Sequence, residues 1–250
     1  MLYFKGQRIL AASLKLLATL GLRDATSVLL TGFSQSGTSV ILNADTVGTL
    51  LSSLAPKLRR YKALPVDGHH PGYRSLWGEA YPDGGLGEGW YGSALAQLAA
   101  LSNAAAATPV GCQAEHKADP SSCLWANESL PHVKTPLFAV QQAPGVWDMQ
   151  CMLDGQPVAN VLQLGCASHN TSMLPFTKCV QYPDRCDPKV VREYMVPLQK
   201  LYVEEYRASL RGRPHSGGFY HSCCEHSPRI CSVSPCHLTR YVACRSRKLL

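Results

Sequence analysis

The chain has 250 residues, of which 46% are hydrophobic, so it can bury one sizeable core and fits a single domain over residues 1–250. Its formal net charge is +7, and the Lys and Arg residues are spread along the sequence. They form no concentrated basic face, and the sequence contains no nucleic-acid-binding motif. This pattern excludes nucleic acid as a partner and weakly favours an anionic substrate, such as an acidic polysaccharide. No run approaches the roughly 20 apolar residues that a membrane span needs.

The first third of the chain predicts a helix, a strand, a sharp turn and a second helix. The helix covers residues 6–20, and Gly21 can end it. Its apolar side chains at helical spacing are Ile9, Leu10, Leu14, Leu17 and Leu20. The short β-branched run at 26–33 predicts a buried strand, and helical spacing resumes after Ser34. This order is typical of an α/β fold with a mostly parallel sheet flanked by helices.

The remaining elements are less regular. Residues 63–92 are rich in Gly, Pro, His and Tyr and are interpreted as loop. A plain helix is predicted at 93–107, a second buried strand at 132–142 and a long amphipathic helix at 189–210. The last 36 residues form a cysteine-rich, irregular C-terminal segment.

Eleven cysteines, all after residue 111, indicate an oxidising compartment. The sequons at Asn127 and Asn170 agree with secretion and predict glycosylation. The first residues, "MLYFKGQRILAAS", have no secretory signal, so we expect either a trimmed chain or part of a longer protein.

Ser34 is the candidate nucleophile. It lies in "LLTGFSQSGTSVIL", between the predicted strand and helix, where a sharp turn would lift its hydroxyl out of the sheet. The usual pattern is Gly-x-Ser-x-Gly, whereas Ser36 replaces the second glycine here and Gly37 follows one place late. The alternative is an ordinary small-residue turn.

A serine nucleophile needs a base, and the fold order places that base late in the chain. The segment "GGFYHSCCEHS" offers His221 and His226. A zinc cluster is a second interpretation, with the candidate ligands Cys223, His226, Cys231, Cys236 and His237. Their spacing matches no standard zinc site, and a plain disulfide loop with surface histidines is the third interpretation.

His69 and His70 belong to a loop that is rich in aromatic residues. That loop is either a sugar-lining surface or a packed surface loop, and the sequence favours the packed loop.

Several long segments resemble the pectin acetylesterase and Notum family. "LYFKGQRILAASLKLLATLGLRDATSVLLTGFSQSGTSVILNADTV" is similar to its nucleophile region, "VKTPLF" to its acid-bearing strand and "GGFYHSCCEH" to its histidine segment. The resemblance runs in order from residue 1 to about 230. It implies a secreted protein with an α/β-hydrolase-like fold and a Ser-Asp-His triad that needs no metal or organic cofactor.

The resemblance assigns roles to three residues of the site. Ser34 matches the nucleophile, Gln35 the residue whose backbone amide helps to bind the oxyanion, and His226, rather than His221, the general base. The family also carries a glycine-rich segment upstream of "LYF" with further oxyanion donors, and this chain begins at that "LYF".

The acid departs from the family pattern. The family aspartate falls on Gly145 in "TPLFAVQQAPGVWDMQ", and the nearest carboxylate is Asp148. Asp148 comes three residues after Gly145, which is about one turn if the segment is helical. It would then lie on a similar face, about 5 Å from the family's acid position, where it would orient His226.

The resemblance also suggests structural roles. It implies local disulfides between Cys112 and Cys123 and between Cys179 and Cys186, and it matches Asp45 to a family aspartate that we interpret as structural.

Two functions from different classes remain. The first is an extracellular carboxylesterase that removes O-acetyl groups from cell-wall pectin through Ser34. The second is a catalytically impaired or non-catalytic family member that binds polysaccharide, favoured by the glycine at the acid position. A third function is an esterase that removes a long acyl chain, as Notum does.

Overall fold

A computed structural model describes residues 4–70, 89–142, 186–190, 192, 196–213 and 215–221. The chain divides into two compact units. The first unit comprises Met1–His70, Ala96–Val140 and Ser209–Phe219, and the second comprises Pro71–Leu95, Gln141–Ala208 and Tyr220–Leu250. The single domain over residues 1–250 stays a prediction.

The first helix, α1, covers Gly6–Thr19, close to the predicted bounds. Gly21 follows it with φ 118, a left-handed conformation that glycine adopts without strain. Only a narrow stripe of α1 packs inward, because Leu14 is buried whereas Ile9 is 63% and Leu20 72% exposed. The predicted helical spacing is confirmed, and among the residues of α1 only Leu14 is buried.

The next three elements build the start of the sheet. Strand β1 covers Ser27–Phe33, helix α2 covers Gln35–Leu54 and strand β2 covers Arg60–Val66. The two strands are parallel and pair from Ser27↔Arg60 to Phe33↔Val66. This is the predicted parallel layout, with α2 as the crossover helix.

Strand β2 was not predicted, because its second half was included in the loop at 63–92. Its outer residues, Arg60 and Lys62, are exposed, whereas Ala63 and Pro65 are buried. Pro65 normally argues against a central strand. Here β2 nevertheless pairs with β1 on one side and with β3 on the other.

The core between the sheet and the first two helices is aliphatic. Leu14 of α1 packs with Val47 and Leu51 of α2. Partly buried side chains of both strands complete this cluster, including Val28 and Tyr61. The hydrophobic face of α2 therefore fixes the helix against β1 and β2 and, with it, the turn that precedes the helix.

Three helices and a strand follow in the chain. Helix α3 covers Gly89–Ser102, α4 covers Val110–Glu115, α5 covers Ala126–Ser129 and strand β3 covers Phe138–Gln142. The sheet order is β1-β2-β3-β4, with β4 at Gly217–His221. Strands β2 and β3 are also parallel.

The described part of the second unit contains α6, Pro188–Val190, and all but the last two residues of α7, Val196–Leu210. Tyr202 of α7 is fully buried, and its hydroxyl accepts a hydrogen bond from Nε2 of Gln141 at 2.8 Å. Tyr206 packs edge-on against Tyr220 with ring centroids 6.3 Å apart. The long predicted helix at 189–210 corresponds to α6 and α7, and some of the residues between them lie outside the description.

Candidate functional site at a serine turn

Ser34 has the backbone geometry that a nucleophile turn requires. It lies between β1 and α2 with φ 57 and ψ −124, a combination that a residue with a side chain seldom adopts. Such strain costs of order 1–3 kcal/mol and persists only where the surrounding structure enforces it. Serine usually begins a helix by capping it, but the side chain of Ser34 makes no capping bond to α2.

Hydrogen bonds hold this turn in place. The amide of Ser34 donates to the carbonyl of Val66 at 2.9 Å, which ties the turn to the end of β2. The carbonyl of Ser34 accepts from the amide of Thr38 at 3.1 Å, which is the first bond of α2. The serine is therefore fixed at the carboxyl edge of the sheet and at the positive end of a 20-residue helix.

Glycines allow the close approach that the turn needs. A Cβ on Gly32 would lie 2.4 Å from the carbonyl oxygen of Ser36. A Cβ on Gly37 would lie 2.5 Å from the carbonyl oxygen of Val66, and one on Gly68 would lie 2.2 Å from the carbonyl carbon of Gly37. Gly37, one place later than in the usual pattern, is thus the glycine that lets α2 approach β2.

Gln35, the predicted oxyanion residue, is the first residue of α2 and is exposed. Amides in the first turn of a helix have no partner within the helix and point towards its positive end. Such an amide can stabilise an oxyanion that develops on a substrate beside Ser34. The role of Gln35 stays a prediction.

The other predicted catalytic residues lie outside the described residues. These are the base His226, the acid candidate Asp148 and Gly145, at the family's acid position. His221 is the last residue of β4. The zinc interpretation also falls on undescribed residues, and the described residues contain no group of three or more potential metal ligands.

Asp45, interpreted from the sequence as structural, joins α2 to the segment before β3. Its Oδ1 accepts from the amide and the hydroxyl of Thr135, each at 2.7 Å, and its Oδ2 accepts from the amide of Lys134 at 2.9 Å. Arg213 donates to the carbonyls of Leu130 and Thr135 nearby. Burial lowers the pKa of Arg213, and the charge of Asp45 opposes that shift.

His69 and His70 are buried, with 1% and 6% of their surfaces exposed. Most of the loop that follows them lies outside the described residues, so its role stays a prediction. Nε2 of His69 is 3.1 Å from the hydroxyl of Ser209. Burial, assisted by the charge of His70, lowers the pKa of His69 to about 3, so its imidazole is neutral at ordinary pH.

Cys112 and Cys123 form a disulfide, the local pair that the resemblance implied. Cys186 is also disulfide-bonded, but Cys179 lies outside the described residues and its pairing stays a prediction.

Of the two predicted glycosylation sites, Asn127 is half-buried, and its side-chain amide donates to Oε1 of Glu128 at 3.0 Å. Asn170 lies outside the described residues. Glycosylation at both sites stays a prediction.

Sequence reasoning missed Asp67, the residue that follows β2. It is 3% exposed, has φ 48, and lies next to Val66, the partner of the Ser34 amide. A carboxylate directly after the apolar run "ALPV" could have indicated a polar residue at the end of a strand. This signal was overlooked because the run was interpreted as part of a loop.

The sheet and the strained serine turn define an α/β-hydrolase-like protein, as predicted. The pectinacetylesterase family model matches residues 1–234, which is far more than half of the chain. The chain belongs to the pectinacetylesterase family, so the resemblance is confirmed.

Two curated relatives come from Arabidopsis thaliana. Pectin acetylesterase 7 is 26% identical over 152 residues, which cover 61% of this chain and 35% of that protein. Pectin acetylesterase 4 is 28% identical over 149 residues, which cover 60% of this chain and 33% of that protein. The chain therefore spans about a third of the length of these relatives in the matched regions.

Two crystal forms of the Wnt deacylase Notum from Drosophila are similar in structure. Their TM-scores are 0.58 and 0.54, with sequence identities of 21% and 18%. Each comparison covers 90% of this chain, and they cover 53% and 54% of the Notum chains. Likeness at this identity shows the α/β-hydrolase-like fold.

In the described part of the chain, none of the helices is both long and apolar enough to cross a membrane.

Proposed function

We propose that this chain is a serine carboxylesterase that removes O-acetyl groups from pectin of the cell wall or from a related polysaccharide. The observation that carries the proposal is the strained backbone of Ser34 at the amino end of α2, held by its amide bond to Val66. Membership of the pectinacetylesterase family supports the substrate class. The proposed location is the secreted or cell-wall compartment.

The proposed reaction proceeds in two steps. Ser34 Oγ attacks the acetyl carbonyl while His226 takes the hydroxyl proton, and the carbonyl oxygen becomes an oxyanion that the Gln35 amide stabilises. The tetrahedral intermediate collapses, His226 returns the proton to the leaving sugar oxygen, and an acetyl-enzyme remains. Water then attacks the acetyl group with His226 as base, and acetate leaves as Ser34 regains its proton.

The candidate for the orienting acid is Asp148, three residues after the glycine that occupies the family's acid position. The proposed mechanism needs one carboxylate to hold the base and to stabilise its protonated form.

Gly145 favours a second candidate function, which is a non-catalytic family member that binds polysaccharide. Loss of an acid alone leaves part of the rate enhancement of a serine hydrolase, because the oxyanion donors and substrate binding still contribute.

Acetate release distinguishes the two functions. Acetylated pectin and p-nitrophenyl acetate are each incubated with the wild-type chain and with Ser34→Ala, His226→Ala and Asp148→Asn. An esterase predicts that Ser34→Ala and His226→Ala lose almost all activity. If the wild-type chain releases no more acetate than Ser34→Ala while it still binds pectin, the chain is a binding protein.

A further inference from the structure

The amino ends of β1 and β2 carry a cluster of exposed basic side chains, at the edge of the sheet opposite to the Ser34 turn. They lie in the segments 22–27 and 56–62, whose only acidic residue is Asp24. The five basic residues are Arg23, Lys57, Arg59, Arg60 and Lys62. Five cations and one carboxylate give this basic edge a charge of +4, which is more than half of the formal net charge of +7.

Strand pairing brings the two segments of the basic edge together. The amides of Arg59 and Arg60 both donate to the carbonyl of Thr26, at 2.9 and 3.2 Å. Nζ of Lys57 is 2.7 Å from Oδ1 of Asp24, which is 33 positions earlier in the chain. The prediction that the basic residues form no concentrated face is therefore wrong at this edge, because it considered the two segments separately.

Most of the charge of the basic edge is uncompensated. The hydrogen bond from Lys57 lowers the pKa of Asp24, and the charges of Lys57 and Arg23 add to this effect. In the part of the chain that the structure describes, Arg59, Arg60 and Lys62 form no ion pair. Like charges at this spacing repel one another, so an anionic ligand would relieve the repulsion.

The spacing of the cations suits a ligand with repeated negative charges. Arg60 and Lys62 alternate along β2, so both project from the same face of the sheet, roughly 7 Å apart. A single exposed ion pair contributes little. A polymer with one carboxylate on each repeating unit engages several cations at once, and each contact raises the effective concentration of the next carboxylate.

We propose that the basic edge is a secondary binding site for polygalacturonate, the acidic backbone of pectin, an inference that rests on the proposed substrate class. Carboxylates of successive sugar residues pair with Arg59, Arg60 and Lys62. Strand β1, Ser27–Phe33, separates this edge from Ser34 by roughly 20 Å. The basic edge therefore holds the polymer without taking part in acyl transfer, and it should lower KM for polymeric substrates only.

The first test measures binding of polygalacturonate by isothermal titration calorimetry in the Ser34→Ala background, where no ester is cleaved. The edge variant and its control remove three exposed cations each, and circular dichroism confirms that both are folded. The edge variant is Arg59→Gln/Arg60→Gln/Lys62→Gln, and the control is Arg8→Gln/Lys117→Gln/Arg211→Gln. We expect the Kd to rise about tenfold in the edge variant and about twofold or less in the control.

The second test measures kinetics with Ser34 intact. The edge variant should have a KM for acetylated pectin that is several-fold higher than that of the control, with the same kcat. Both variants should hydrolyse p-nitrophenyl acetate at the wild-type rate, because this ester carries no carboxylate and does not reach the basic edge. Raising the salt concentration from about 50 to about 500 mM should remove the difference in KM, since salt screens exposed charges.

Three results would overturn the inference. Equal weakening in the edge variant and the control would show an effect of net charge alone. Fully methyl-esterified polygalacturonate that binds as tightly as the acid form would show that carboxylates are not recognised. Single-stranded DNA that binds more tightly than polygalacturonate would assign the basic edge to phosphate polymers.

Two further comparisons keep the inference falsifiable. Should the edge variant not fold, the salt dependence of binding by Ser34→Ala alone decides, and binding that is insensitive to salt would contradict the inference. Failure of the esterase proposal is a separate result, because the wild-type chain would then release no more acetate than Ser34→Ala, whereas polygalacturonate binding is measured without catalysis.

Discussion

Replacing Asp45 with alanine should strongly destabilise the first unit. The carboxylate accepts from three donors, which are the amide of Lys134 and the amide and hydroxyl of Thr135. A hydrogen bond to a charged group contributes about 1.5–3 kcal/mol. Lys134 is exposed and its amide can bond to water instead, but Thr135 is only 7% exposed, so its two donors would lose their partner.

The expected loss for Asp45→Ala is therefore about 3–5 kcal/mol in the free energy of unfolding. For a chain of this size, that loss corresponds to a fall of roughly 10 °C in melting temperature. Urea unfolding and thermal melting, followed by circular dichroism, measure both quantities. The matched control is Asp24→Ala, because Asp24 pairs with Lys57 at 2.7 Å while both side chains are mostly exposed. Equal unfolding midpoints in the two variants would contradict the stabilising role of Asp45.

Three further predictions concern pH, the disulfide and the turn. Burial lowers the pKa of His69 to about 3 in the folded state, whereas an unfolded histidine has a pKa of about 6.5. Between these values the unfolded state binds a proton that the folded state does not. The free energy of unfolding should therefore fall by up to about 1.4 kcal/mol for each unit by which the pH decreases. Urea unfolding at pH 7 and 5 measures how much stability the protein loses between these pH values, and this loss should be about 2 kcal/mol smaller in His69→Gln than in the wild type. An equal loss in both proteins would contradict the lowered pKa of His69. The double replacement Cys112→Ser/Cys123→Ser should cost about 3 kcal/mol, measured by urea unfolding, because the bridge closes a loop with a sequence separation of 11; unchanged stability would refute this. Gly37→Ala should cost about 1–3 kcal/mol and lower the proposed esterase activity, because its Cβ would lie 2.5 Å from a carbonyl oxygen of β2. Gly6→Ala, with nothing within 4 Å of the added Cβ, is its control, and equal stability and activity in both variants would rule out the packing role.

Local signals predicted the first part of the fold well. The apolar run before Ser34 and the helical spacing after it correspond to β1 and α2. Strand β2 was missed because its polar start and Pro65 weaken the local pattern, whereas its strand character depends on pairing with both neighbours. The apolar spacing of α1 predicted the helix, but spacing alone does not show which of its apolar residues pack inward.

The candidate site was only partly predictable. Ser34 was found because a strand, a turn and a helix are adjacent in sequence, and Gly37 was noticed as a displaced glycine. Asp67 was missed because its relation to Ser34 depends on the parallel register of β1 and β2, which brings residues more than 30 positions apart to the same edge. Convergence of distant strand ends cannot be read from spacing along the chain.

Covalent labelling shows directly whether the Ser34 turn presents an activated nucleophile. The native chain is treated with a fluorophosphonate, which reacts with activated serines, and the product is analysed by intact mass and peptide mapping. We expect one adduct per chain, located on Ser34, which is absent in Ser34→Ala and in the urea-unfolded protein. Native protein without an adduct, or with equal labelling in Ser34→Ala, would show that the turn presents no active nucleophile.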